Sequence, residues 1–145
     1  MHRVLVIDDD PAMTDLLRII LSSYQMEVRV VNDGQAGIDC LVNYKPSIII
    51  LDLLMPELDG WKVCQRIKEV YQIPILILSA VDSPSMIAEA LDAGADGYLI
   101  KPVTTTSLIA HINNLVKRTT CELKLIRTST KNQVIHNQSE FHSKI

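Results

Sequence analysis

At about 100–200 residues per domain, 145 residues make one domain with at most a short appendage, and a second full-sized domain is excluded. With 48% hydrophobic and 21% charged residues there is enough apolar material for a core, while a formal charge of −3 argues against wholesale nucleic-acid binding, which rests on surplus Lys and Arg. Three cysteines (Cys40, Cys64, Cys121) give neither a paired metal motif nor an even disulfide set, and no aliphatic run approaches the roughly 18 residues of a membrane span, so the chain is expected to be cytoplasmic, without leader or anchor.

Residues 4–7 predict a first strand, after which Asp10 caps a helix that Pro11 opens. Met13, Leu16, Leu17, Ile20, Leu21 and Tyr24 recur along it with a 3.6-residue period and predict its apolar stripe. Residues 28–31 predict a second strand, and a helix over 34–43 follows Asp33. The third strand is residues 48–51, and the helix after Gly60 carries Val63, Cys64, Ile67 and Val70. A fourth strand at 75–78 precedes a helix opened by Ser83 and Pro84 and closed by Gly94. The last strand, 98–100, leads into a fifth helix over about 106–117. Alternation of this kind predicts an α/β fold, a doubly wound five-stranded parallel sheet with helices on both faces. Beyond it the charge changes sign: residues 1–116 carry a net −7 and residues 117–145 a net +4. The tail is also rich in Thr, Ser, Asn and Gln, so the domain is expected to span 1–118, with 119–145 a basic polar extension or linker.

In doubly wound sheets the binding crevice lies beyond the carboxyl ends of the strands. The residues ending the predicted strands are Asp8 and Asp9, Asp52, Ser79 and Lys101, which are scattered along the chain but brought to one rim by the topology. Singly each has an ordinary explanation: Asp10 is a helix cap, Ser79 a turn residue, Lys101 a solvated charge. Together Asp8, Asp9 and Asp52 repel one another, and either their protons are held more tightly or a cation neutralises them. Few, hard oxygen ligands suit Mg²⁺, which keeps part of its water. Cation and ammonium offset the charge of a phosphoryl group, a hydroxyl donates to it, and one carboxylate, centrally Asp52, can attack phosphorus. Lys101 precedes Pro102, and a cis bond there is expected to aim the ammonium inward.

Four stretches, VLVIDDD at 4–10, ILDLLMPELDGW at 50–61, ILSA at 77–80 and GADGYLIKP at 94–102, occur in the order and strand-end positions of one family. In them the chain resembles a response-regulator receiver domain of two-component signal transduction, similar to the chemotaxis regulator, over about residues 1–118. The resemblance implies a flavodoxin-like sheet of order 2-1-3-4-5. It implies that Asp52 is the phosphoacceptor, that Asp9 and Asp52 bind Mg²⁺ directly and Asp8 through water, and that the Leu54 carbonyl adds a ligand. It makes Lys101 the partner of the phosphoryl group and Ser79 the switch hydroxyl. Tyr98 is either the aromatic of the switch or a residue filling the edge of the core, and Trp61 simply covers the start of the third helix.

The implied partners are a sensor histidine kinase or phosphotransfer protein and a downstream effector protein or domain, with homodimerisation on phosphorylation a further expectation. The receiver would assist its own phosphotransfer and dephosphorylation without being a turnover enzyme, and its output face would be the fourth helix, fifth strand and fifth helix. Apolar Leu54 and Val81, beside small Ala80, are expected to leave attacking water unoriented and the phosphoryl group long-lived. A dehalogenase-type phosphatase is excluded, because it needs a second Asp where Leu54 stands. Flavin or dinucleotide binding would need a phosphate-cradling loop where Asp8–Asp10 stand. The alternative is the receiver fragment of a DNA-binding transcriptional regulator whose effector domain is absent; Leu123, Leu125, Val134 and Ile135 could begin a small sheet. Gly97, Val103 and the polar stretch 106–114 depart from the winged-helix subfamily, and direct nucleic-acid binding by this chain is not expected.

Overall fold

The computed structural model describes residues 1–143, those from 130 onward as helix backbone only. The order is β1 (Arg3–Ile7), α1 (Pro11–Ser23), β2 (Glu27–Val31), α2 (Gly34–Tyr44), β3 (Ile48–Leu51), α3 (Gly60–Val70), β4 (Ile75–Ser79), α4 (Pro84–Asp92), β5 (Gly97–Ile100) and α5 (Thr105–Ser143). The strands form one parallel sheet in the order β2-β1-β3-β4-β5, the doubly wound arrangement expected.

Both faces of the three inner strands are covered, and so Val4–Ile7, Ile48–Leu51 and Ile75–Leu78 are almost wholly buried. The edge strands β2 and β5 are only half-buried, and Ile100 is exposed. One apolar cluster, with Leu5, Ile49, Ile75 and Ile77, packs against α2 and α3. The other, with Val4, Val6, Ile48 and Leu78, packs against α1 and α5. Each fully buried Ile or Leu contributes about 1.5–3 kcal/mol relative to exposure, so this two-sided burial fixes the register.

The caps behave as their side chains dictate. Asp10, Asp33 and Asp59 each accept a hydrogen bond from the first turn of α1, α2 and α3, at 3.0, 2.7 and 2.9 Å. Ser83 precedes α4 without such a bond, and Gly94 just beyond that helix takes φ +112°.

Three expectations need correction. On α1 the buried face is Thr14, Leu17 and Leu21, whereas Leu16 and Tyr24 are about half exposed, because only one edge of the stripe meets the sheet. Val70, at the end of α3, is 74% exposed. The fifth helix does not stop near 117: α5 runs through Arg118 to Ser143, and Leu123, Leu125, Val134 and Ile135 are helical rather than sheet-forming. No Gly or Pro occurs after Pro102, so nothing in the local sequence ends the helix. The change of charge at residue 117 marks where α5 leaves the core: Leu108, Ile112 and Leu115 are buried and 120–129 are exposed.

Candidate functional site

The site is assembled by strand register. Ile7 pairs with Leu51, so the next residues, Asp8 and Asp52, emerge side by side from neighbouring strands. Backbone bonds from Asp8 N–H to the Val31 carbonyl (3.2 Å) and from Asp52 N–H to the Ile7 carbonyl (3.0 Å) hold them there. Ser79 pairs with Ile100, which brings Lys101 past the end of β5, where its N–H donates to the Ser79 carbonyl at 2.9 Å. The Lys101–Pro102 bond is cis, as expected.

The Lys101 ammonium reaches across the rim to Asp8 Oδ2 at 2.9 Å and to Asp52 Oδ2 at 3.5 Å. Asp8 and Asp52 are buried, at 3% and 7% exposure, while Asp9 faces solvent. One carboxylate oxygen from each of Asp8, Asp9 and Asp52 lies within 4.8 Å of the others. Burial raises the Asp8 pKa, and this desolvation outweighs the opposing help of the Asp10 amide and Lys101; the nearby Asp52 charge raises it further. For Lys101 burial works to lower the pKa, but Asp8 and Asp52 together overcome it and the pKa is raised. One ammonium among three acids leaves negative charge uncompensated. Oxygen donors this close, half-buried and in surplus over their cation, fit a divalent metal ion.

Leu54 N–H donates to Asp52 Oδ1 at 3.3 Å, and its side chain is 54% exposed. Val81 does not share that position at the rim: it is buried, and its backbone bridges two predicted switch residues. Its N–H donates to Ser79 Oγ at 3.3 Å, and its carbonyl accepts from the Tyr98 hydroxyl at 2.6 Å. Ser79 is fully buried and Tyr98 half-buried. Burial raises the Tyr98 pKa; the Ser79 hydroxyl works against this, and Asp52 and Asp82 add to it. The β4–α4 connection is thus tied to both residues through the two peptides that flank Val81, which no sequence motif announces.

Sequence reasoning also missed Asn32 and Thr14. Asn32 Nδ2 donates to the Asp8 carbonyl at 2.9 Å and to Thr14 Oγ1 at 3.2 Å, pinning the turn that carries Asp8 and Asp9. The available signal was position, since Asn32 follows β2, the neighbour of β1.

The molecule is therefore a flavodoxin-like α/β protein whose strand ends gather a divalent-metal-fitting acidic pocket, an ammonium and a buried hydroxyl. The sequence model of the family described as "Response regulator receiver domain" matches residues 4–113, and the chain belongs to that family, the receiver domains of two-component systems. Response regulator MprA of Mycolicibacterium vanbaalenii is 41% identical over 119 residues, which are 81% of this chain and 52% of that protein. The chain spans about half the length of the curated relatives it matches. The Francisella response regulator 1452 receiver domain superposes with a TM-score of 0.77 at 32% identity, covering 82% of this chain and 99% of that one. The BeF3-activated N-terminal receiver domain of Klebsiella pneumoniae RstA gives a TM-score of 0.76 at 26% identity, covering 79% and 97%. Among the described residues no helix is long and apolar enough to cross a membrane.

Proposed function

We propose that Asp52 accepts a phosphoryl group from the phosphohistidine of a sensor kinase or phosphotransfer protein. A carboxylate oxygen of Asp52 forms the new bond to phosphorus as the P–N bond breaks, and the imidazole leaves with the electron pair of that bond and takes up a proton. Asp8, Asp9 and Asp52, with the Leu54 carbonyl, would hold Mg²⁺, which supplies the charge neutralisation that lets two anions meet. Lys101 stays against the reacting group and offsets its charge. Ser79 then donates to the phosphoryl oxygens, giving up its bond from the Val81 amide, and Tyr98, bonded to the carbonyl of the same residue, follows. The face of α4, β5 and α5 carries the change to an effector. On this reading the chain is a phosphoacceptor switch that assists its own chemistry, not a turnover enzyme.

The observation that carries the reading is the meeting of Asp52, Lys101 and two further carboxylates just beyond the carboxyl ends of β1, β3 and β5. The test is mass spectrometry after incubation with acetyl phosphate and Mg²⁺. Wild type should gain one phosphoryl group and Asp52→Asn none; a persistent adduct on the variant would move the acceptor elsewhere, and chelating the metal should suppress labelling.

The greater length of the relatives favours a second reading, in which this receiver serves a longer regulator whose further domain acts on DNA. A mobility-shift assay with and without phosphodonor tests direct binding of DNA by this chain, from which no shift is expected on either reading.

A further inference from the structure

Of the five helices, α4 is the most lightly attached. It has nine residues and buries one of them, Ala90, while Met86 and Leu91 stay nearly half exposed. Against it stands Trp61, the sole tryptophan, half-buried in the first turn of α3 and packed on the core. Its indole Nε1–H donates to the Met86 carbonyl at 3.2 Å. Among the described residues, no other side chain outside α4 and its caps makes a hydrogen bond to α4 itself. Beside this bond a groove of about 600 Å³, lined by Asp59, Lys62, Glu89 and Asp92 among others, separates the two helices. There is room for α4 to move.

The root of Trp61 lies on the phosphoacceptor strand. Gly60 N–H donates to the Leu53 carbonyl at 3.0 Å, and a methyl built on Gly60 would strike the Asp52 carbonyl oxygen and Leu53 Cα. The first turn of α3 therefore rests directly on the backbone of Asp52 and Leu53. We propose that Trp61 is a positioning residue tying α4 to that backbone, a route to the output face separate from Ser79 and Tyr98. The second half of this inference, that α4 follows the state of Asp52 through the tie, rests on the phosphoacceptor reading above.

Hydrogen exchange on the full chain tests it, comparing wild type with Trp61→Phe, which keeps an aromatic ring and removes the donor. Without additive, amides of residues 84–92 should exchange about fivefold faster in the variant, as loss of one modest hydrogen bond implies, with β1 and β3 unchanged. With Mg²⁺ and beryllofluoride, wild type should change its protection at 84–92 and shift its single indole N–H resonance. The variant should lose at least half of the change at 84–92. Equal exchange in the two proteins without additive overturns the tie, and an undiminished response of the variant overturns the transmission. A wild type that ignores beryllofluoride everywhere overturns the phosphoacceptor reading and the transmission with it, while the comparison without additive still decides the tie.

Discussion

Lys101 holds the acidic rim together. Its ammonium sits against Asp8 and Asp52, and Asp8 is already penalised by burial, so removing the cation leaves two buried acids facing each other. Breaking a buried pair costs roughly 3–5 kcal/mol, less where one partner keeps some solvent, and the Lys101 side chain is 18% exposed. Lys101→Ala should therefore lose about 2–3 kcal/mol without metal and, on the proposal that the folded rim holds Mg²⁺, recover part of it when that ion is added. Urea unfolding with and without Mg²⁺ checks this, and equal Mg²⁺ shifts in wild type and variant would contradict it. Cys64 makes a separate case on α3. Fully buried, its thiol is pushed up to about 11 from an ordinary 9, chiefly by desolvation. The folded state holds that proton more tightly than the unfolded one, so the contribution is intact below pH 9 and is lost as pH rises through 11. The loss is on the order of 2 kcal/mol. Cys64→Ala should start less stable because of the cavity but lack this part of the alkaline slope, which unfolding midpoints between pH 8 and 11 would reveal.

At the scale of elements, Gly60 joins α3 to the end of β3. Its missing side chain allows the helix to sit on the Asp52–Leu53 backbone, and unlike the tip of a side chain this backbone has no rotamer by which to yield. Gly60→Ala should cost about 1–3 kcal/mol by overpacking and also slow labelling of Asp52, since the strand end must shift. Thermal unfolding and acetyl-phosphate labelling measure the two effects, and a stable, fully reactive variant would refute the close packing. The strands and their rim were legible because two-sided burial writes continuous aliphatic runs, each ending abruptly in Asp8, Asp52, Ser79 or Lys101. Helix faces were less so: periodicity marks the apolar stripe of α1, with Leu16 and Tyr24 on it, but not how much of that stripe the sheet covers. The Val81 bridge, the Asn32 clamp and the Trp61 bond were invisible because backbone carbonyls and amides, common to every residue, make half of each contact. Asp96 is similar, accepting from the Ile75 amide at 2.8 Å while paired with Lys68 at 2.6 Å, a staple at the other end of the sheet.

On the scale of the whole molecule, α5 joins two regions of opposite charge and different stability. Its first turns bury Leu108, Ile112 and Leu115, and they form part of the second core cluster. Past Thr119 the helix leaves that core, with Leu123 41%, Leu125 68% and Ile126 58% exposed. Composition marked this departure correctly as a change of environment, but composition cannot separate an exposed helix from a linker when no Gly or Pro intervenes. Once nucleated by the packed turns, a helix propagates at little cost per residue, even through Thr119, Thr120 and Thr128, whose hydroxyls bond back to carbonyls four residues earlier. What it lacks there is burial, and burial is what gives helices in proteins most of their stability. Leu123 and Ile126 do lie beside Tyr71 and Gln72 at the end of α3, which gives the extension a partial foothold. Amide exchange should therefore be slow over 105–116 and at least tenfold faster over 120–129. Cutting the chain after Arg118 should cost no more than about 1 kcal/mol and leave acetyl-phosphate labelling of Asp52 unchanged, because among the described side chains of α5 the buried ones all precede the cut. A truncated chain that unfolds, or that no longer labels, would mean that the contact with Tyr71 carries far more than its exposed area suggests, and that the folded unit extends past residue 118.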